Sequence, residues 1–467
     1  MEFRHNDIEI NEEKPFSNCK LEREKYAEVL TNIIDNYPEG FVLAINNKWG
    51  TGKSTFVKMW EQSLKNLQFK TIYFNAWEND FEDNPLTAFL GELQILNKKE
   101  EDKFNKVVKN AAVISKNVAP AILKAFLNRY VDSEVLVDAI TDTSKSAFEI
   151  FEEDVKEYSK RKKSISEFRK SLSEFVANES NGKPLIFIID ELDRCRPNYA
   201  VLLLEQIKHF FSVPNIVFVL SIDKEQLGNA ICGVYGSEKI DTNEYLRRFI
   251  DIEYSIPEPD PNKFFDYLFE YFEFDVFFKS EERNQYRGVE HDRETFRETC
   301  KVLISNLTLR QQEKILSHTR IVLRTLNYNS LLFASIFVFL VYIKTIHPKY
   351  YQKLSSKNTH IRDIQREFYE ISKPFISEDK HSQRLFTHIE AYLLKLYSTY
   401  QKGYMRNNEL IEWNSTENKY DQKLNSEIDN DYFFQLLTND TLNYEYSDIK
   451  LSYLLNKLNL TEDIKIN

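Results

Sequence analysis

The stretch from Phe41 to Thr55 constrains the fold more than any other part of the chain. Phe41–Ile45, FVLAI, is apolar without alternation, and helical periodicity resumes over Ser54–Lys65. Between them lies Asn46-Asn47-Lys48-Trp49-Gly50-Thr51-Gly52-Lys53-Ser54-Thr55. An unbroken apolar run of strand length marks a strand buried on both faces, as in a parallel sheet covered by helices. A glycine-bearing loop joining such a strand to a helix is the context of a phosphate-binding loop. Its glycines let backbone N–H groups turn inward, and the helix N-terminus adds positive potential. On that reading Lys53 reaches β/γ-phosphates and the Ser54 hydroxyl ligates Mg²⁺. The candidate nucleotide-binding set is Trp49, Gly50, Thr51, Gly52, Lys53, Ser54 and Thr55. The chain has only 10 glycines, so finding two in one loop adds weight. The Gly-x-x-x-x-Gly-Lys-[Ser/Thr] pattern has glycine where this chain has Asn47. Asparagine tolerates left-handed backbone, so the loop is expected to close around it.

Further apolar runs follow at Lys70–Phe74, Pro184–Ile189 and Asn215–Ile222. Helical stretches are expected over Pro85–Leu96, Ala200–Phe210 and Lys224–Ile231. Strands alternating with helices imply an α/β fold: a parallel sheet with helices on both faces. The run Ile186-Phe187-Ile188-Ile189 ends at Asp190-Glu191-Leu192-Asp193-Arg194. Ligands of open α/β sheets sit at the carboxyl ends of strands. Asp190 is therefore the candidate Mg²⁺ holder with Ser54, and Glu191 the candidate general base toward a γ-phosphate. Asp193 and Arg194 stay open between a local ion pair, a phosphate-facing role and a surface salt bridge. Asp223, at the tip of the Asn215–Ile222 run, reads equally as a γ-phosphate sensor and as a helix N-cap. Arg247, Arg248 and Arg310 are candidate cations for charge developing in phosphoryl transfer. Arg310, at an apparent helix start, is the one taken as a catalytic sensor alongside Glu191, Lys53 and Asp190.

The 467 residues suggest two to four domains. Lys+Arg 62 against Asp+Glu 73 leaves a net charge of −11, a poor basis for coating nucleic acid, although a local basic groove stays open. The four cysteines, Cys19, Cys195, Cys232 and Cys300, form no metal-binding spacing and fit a reduced, cytoplasmic setting. The N-terminus is charged and lacks a signal-peptide core. Ser330–Ile343 is apolar but shorter than the ~20 residues that span a bilayer, which favours a buried core helix. The expected division is a first core half over 1–97, a helical insertion over 98–180 and a second core half over 181–261. A helical lid over 262–351 and a C-terminal helical region over 352–467 complete it. Within the insertion, Val107–Leu127 reads as an amphipathic helix and Lys160–Lys163 as a solvated helix face.

Together these motifs resemble the KAP family of P-loop NTPases. The resemblance rests on Asn46–Thr55, on Phe74-Asn75-Ala76-Trp77 and on Ile188–Cys195, IIDELDRC. It extends to Val219–Ile231, Tyr245–Phe249 and Leu307–Ile315, covering roughly residues 15–350. It implies a cytoplasmic ATP- and Mg²⁺-binding core of the additional-strand type, with an insertion and a helical lid. Many family members carry membrane helices in that insertion. The charged 98–180 segment here resembles instead the soluble bacterial members linked to phage exclusion. The implied function is an ATPase that couples turnover to conformational change and signals to partner proteins. A nucleotide-gated scaffold with little hydrolysis and a nucleic-acid-stimulated ATPase are the alternatives, and a homo-oligomer stays open.

Overall fold

The computed structural model describes residues 8–81, 85–96, 101–114, 163, 165–177, 182–207, 213–285, 289–328, 332–377, 379–403, 409–438 and 450–460. The described residues divide into two compact units, one within Asp7–Glu258 and one within Pro259–Asn467.

The first unit is built on a parallel sheet of β1 (Val42–Asn46), β2 (Lys70–Asn75), β3 (Leu185–Asp190), β4 (Ile216–Ile222) and β5 (Ile252–Tyr254). Its order is β2-β3-β4-β1-β5. The carboxylate strand β3 is thus not the neighbour of the loop-bearing strand β1. β4 lies between them, with Val42 opposite Phe218 and Phe187 also opposite Phe218 on the other side. Successive side chains alternate between the two faces, and both faces are dry. Leu43, Ile45, Ile186, Ile188, Val217 and Val219 face a core shared with α1 (Glu24–Asn36) and α2 (Lys53–Asn66), through Leu30, Ile34, Phe56 and Trp60. Val42, Ala44, Phe187, Ile189, Phe218 and Leu220 face the opposite core. There Phe89 of α3 (Pro85–Leu96) stacks on Phe187 with centroids 4.4 Å apart. This two-sided burial is why the central strands read as continuous apolar runs.

Both described parts of the 98–180 segment join that second core. α4 (Glu101–Ile114) contributes Phe104, Val107 and Val108, and the helix at 165–177 contributes Phe168, Leu172 and Phe175. The Val107–Leu127 reading is helical as far as Ile114; beyond it lies outside the described residues. Of the KRKK patch only Lys163 is described, exposed and 3.7 Å from Glu167.

The second unit is mostly helical, including Pro261–Tyr271, Asp292–Ile304, Leu309–Arg324, Ala334–Ile346, Ile361–Ser372 and Lys380–Lys402. The apolar run near 330–343 forms the 13-residue helix Ala334–Ile346, with every residue from Ala334 to Ile343 buried. Among the described residues no helix is long and apolar enough to cross a membrane. An antiparallel hairpin of β6 (Ile411–Asn414) and β7 (Lys419–Gln422) interrupts the helices of this region, which reads as almost entirely helical in the sequence. Asn414 accepts from the Thr416 and Glu417 amides, and Trp413 packs on Tyr420 across the strands, which is what closes it.

Candidate nucleotide site

β1 delivers the loop to the carboxyl edge of the sheet, and α2 leaves it. Gly50 and Gly52 have φ of 78° and 79°, left-handed values that a side chain resists. Gly52 is the N-cap of α2, so the first orphan N–H groups of that helix open onto the loop. The Thr51 hydroxyl ties the turn by donating to the Lys48 carbonyl at 2.9 Å. Lys53 is nearly buried, 8% exposed. Its ammonium donates to the carbonyls of Asn47 and, at 3.4 Å, of Lys48. Burial pulls the Lys53 ammonium below the usual lysine range, opposed by the Asp193, Asp223 and Asp190 carboxylates.

The acidic side is assembled from β3 and β4. Asp190, at the tip of β3, is 1% exposed. One of its oxygens accepts from the Tyr73 hydroxyl at 2.7 Å, the other from the Glu191 amide at 3.0 Å. Burial and then the Asp190 charge push the Tyr73 phenol well above its ordinary value, so it stays a proton donor. Glu191 has φ of 61°, a left-handed residue that turns the chain sharply off the strand. Its Oε1 lies 2.7 Å from Arg194 Nη1 and accepts from the Ser54 hydroxyl at 3.5 Å. Asp193 accepts from the Trp49 indole N–H, and burial raises its carboxyl against the pull of that bond and of Lys53. Asp223 accepts from the Trp49 amide at 3.0 Å and from the Gln226 amide at 3.3 Å.

The expected residues therefore meet, with corrections. Lys53, Ser54, Asp190 and Glu191 converge on one edge of the sheet. Asp223 caps the helix Lys224–Tyr235, as one of its two readings expects, and also accepts from the loop at the Trp49 amide. Asp193 and Arg194 do not pair with each other: Arg194 takes Glu191, and Asp193 takes Trp49. Asn47 is not among the left-handed residues. Its carboxamide instead bridges to Ile256 beyond β5, donating to the carbonyl at 2.7 Å and accepting from the amide at 2.9 Å. Arg310 belongs to the other unit and stands exposed in the first turn of Leu309–Arg324, behind the Thr308–Gln311 capping box.

Two contributors escape a reading of motifs. Tyr73 carries a signal in its strand parity, one residue before the Phe74-Asn75 pair. Arg23 has none: it sits in a charged stretch before α1, yet it is 3% exposed and donates to the carbonyls of Thr51 at 2.9 Å and Gly52 at 3.3 Å.

The donor set fits a nucleotide with its metal. The ammonium of Lys53 rests on neutral carbonyls, which a phosphate oxygen outcompetes. The Ser54 hydroxyl and the Asp190 carboxylate are oxygen donors of the kind Mg²⁺ prefers. Among the described residues no group of three or more His, Cys, Asp or Glu side chains could hold a metal unaided, so phosphate and water oxygens would complete its shell.

An uncharacterized protein of Methanocaldococcus jannaschii is 28% identical over 177 residues, covering 32% of this chain and 88% of the relative. Among solved structures, the ORC2 protein of Aeropyrum pernix, described in ADPNP–ADP complexes, has a TM-score of 0.32 at 13% identity, covering 92% of this chain and 95% of that one. Drosophila ORC bound to DNA has a TM-score of 0.26 at 11% identity, covering 96% and 87%. Scores of this size do not equate one residue with another. The family model described as the KAP family P-loop domain matches residues 23–372, three quarters of the sequence, and with the loop, sheet and acids in place this chain belongs to the KAP family of P-loop NTPases.

Proposed function

We propose that the chain binds MgATP between the 49–55 loop and the Asp190–Glu191 tip and hydrolyses it. The observation that carries this reading is the meeting of Ser54 and Glu191 at 3.5 Å, across two elements far apart in sequence. Bound Mg²⁺ would supply charge neutralisation on the β/γ-phosphates. The chain's own residues do the rest: Lys53 holds phosphate oxygens, Ser54 and Asp190 hold the metal, and Glu191 accepts a proton from the attacking water. Arg310 is proposed as a sensor carried by the helical lid. The division into core halves 1–97 and 181–261, insertion 98–180, lid 262–351 and C-terminal region 352–467 belongs to the same proposal. Turnover would drive conformational change read by partner proteins. The resemblance to phage-exclusion members suggests a defence setting in the cytoplasm, testable by phage challenge of cells carrying parent or Lys53→Ala. In steady-state assays Lys53→Ala is expected to abolish nucleotide binding and Glu191→Gln to retain ATP unhydrolysed. Equal turnover by Glu191→Gln and the parent would remove Glu191 as the base.

One observation favours the scaffold reading. Glu191 is paired with Arg194 at 2.7 Å, a contact it would have to leave to face an attacking water. Tight ATP binding with no phosphate release would decide for a nucleotide-gated assembly protein.

A further inference from the structure

Arg23 is a buried guanidinium spent on two backbone oxygens. Its Nη2 donates to the Thr51 carbonyl at 2.9 Å and its Nη1 to the Gly52 carbonyl at 3.3 Å. Among the described residues it forms no ion pair, and its Nε has no partner. An arginine stays charged in proteins, and burying one without an acid is costly. Here the Thr51 and Gly52 carbonyls are what compensate it. The two carbonyls belong to consecutive peptides, 51–52 and 52–53. In a planar trans peptide the C=O of one residue and the N–H of the next point in opposite directions. Pulling the Thr51 oxygen toward Arg23 therefore drives the Gly52 N–H the other way, and Arg23 does the same for the Lys53 N–H together with the Phe56 amide, which donates to the Gly52 carbonyl at 3.1 Å. Gly52 is left-handed, with φ 79° and ψ 29°, the conformation that lets successive N–H groups converge into an anion-binding nest.

We propose that Arg23 is a positioning residue of the phosphate loop, setting the Gly52 and Lys53 amides to face the α/β-phosphates of a bound nucleotide. This rests on the nucleotide reading of the site. Arg23 acts through the backbone and touches no reacting atom. Its fork spans two peptides at once, which a lysine ammonium on a flexible stem does not do in fixed geometry. The phosphates addressed are shared by di- and triphosphates, so the effect of Arg23 does not discriminate between them.

The test uses the full chain and its Arg23→Lys and Arg23→Gln variants, titrated calorimetrically with MgATP and with MgADP. Arg23→Lys is expected to bind both nucleotides about tenfold more weakly than the parent, and Arg23→Gln more weakly still, with the ATP-to-ADP affinity ratio unchanged. A merely structural arginine would lower the melting temperature and leave both affinities alone. Parental affinities in Arg23→Lys therefore overturn the proposal, whatever its melting temperature, as does a loss confined to ATP. If Arg23→Gln does not fold, Arg23→Lys decides alone. A parent that binds neither nucleotide refutes the reading of the site itself. The setting of the loop by Arg23 is then decided by amide exchange: faster exchange at Gly52 and Lys53 in Arg23→Lys supports it, and unchanged exchange overturns it.

Discussion

Replacing Asn47 by glycine restores the residue that the phosphate-loop pattern contains, and it separates two accounts of the position by sign. If Asn47 only substituted for glycine in a left-handed turn, Asn47→Gly would relieve strain and be neutral or stabilising. The structure makes the opposite demand. The Asn47 carboxamide exchanges two hydrogen bonds with the backbone of Ile256, at 2.7 and 2.9 Å, across 209 residues of sequence. Losing both at about 1 kcal/mol each, and adding about 0.5–1 kcal/mol for glycine's backbone entropy, gives a destabilisation of about 2–3 kcal/mol. The main-chain bond from the Asn47 amide to the Ile222 carbonyl, 3.2 Å, survives the change, so the loss is confined to the side chain. Asn47→Asp is a useful companion. It keeps an acceptor for the Ile256 amide but sets a carboxylate against the Ile256 carbonyl, and is expected to cost at least as much. Urea unfolding followed by circular dichroism measures both. An Asn47→Gly chain as stable as the parent, or more stable, would refute the assignment of Asn47 as a clamp between the loop and the strand-β5 end of the sheet.

Three further outcomes follow from named contacts. Tyr73→Phe removes the hydroxyl on Asp190 and is expected to weaken Mg²⁺ binding in the nucleotide complex about tenfold, read by metal titration at fixed ATP; unchanged metal dependence would sink the role given to Tyr73. Chelation of Mg²⁺ should strip most of the ATP affinity, because the phosphates would then face the Asp190 and Glu191 carboxylates with no metal charge between them; metal-independent binding measured by calorimetry would contradict this. In the helical unit, Glu390 is buried against Gln365 and Ser426, and burial pushes its carboxyl up to about 7. A carboxyl raised above its unfolded value of 4.5 contributes stability in full below pH 4.5 and loses it as pH rises through about 7, a change on the order of 3 kcal/mol. Glu390→Gln should flatten that part of the stability profile between pH 4.5 and 8, and a slope unchanged in the variant would show that other groups cause it.

The sheet's central strands were legible because burial on both faces leaves nothing polar in them. Phe41–Ile45 and Pro184–Ile189 differ from the observed strands by a single residue at each end. β5 was not legible, since its three residues form no apolar run; it is recruited by Asp251, whose carboxylate accepts from the Val42 amide at 2.8 Å. Strand order is likewise a long-range property: the local pattern of β4 does not say that it lies between β1 and β3. The same holds at the site. Gly50, Gly52, Lys53, Ser54, Asp190 and Glu191 announce themselves by residue type and context. Their partners do not, because Trp49 and Asp193 are 144 residues apart and Tyr73 and Asp190 are 117 apart. The hairpin β6–β7 escaped notice for a different reason: its strands are four residues each and half-exposed, too short for alternation to stand out.

These partnerships determine what kind of event nucleotide binding must be. Lys53 is held by loop carbonyls, Glu191 by Arg194 and Ser54, Asp193 and Asp223 by the two N–H groups of Trp49. An incoming phosphate therefore exchanges partners rather than meeting free ones, and the net gain is the difference between charge-assisted bonds and the bonds they replace. That difference is largest for Lys53, which trades neutral carbonyls for an anion. It is smallest for Glu191, which on the proposed reading would leave a cation to serve as a base. Under that proposal affinity and hydrolysis would depend on different exchanges, affinity on that of Lys53 and cleavage on that of the Glu191–Arg194 pair. Trp49 joins the two acids that flank the loop, one through its backbone and one through its indole. A shift of the loop that breaks either bond takes a donor from a buried carboxylate, so the loop has a physical reason to move as a unit with the tips of β3 and β4.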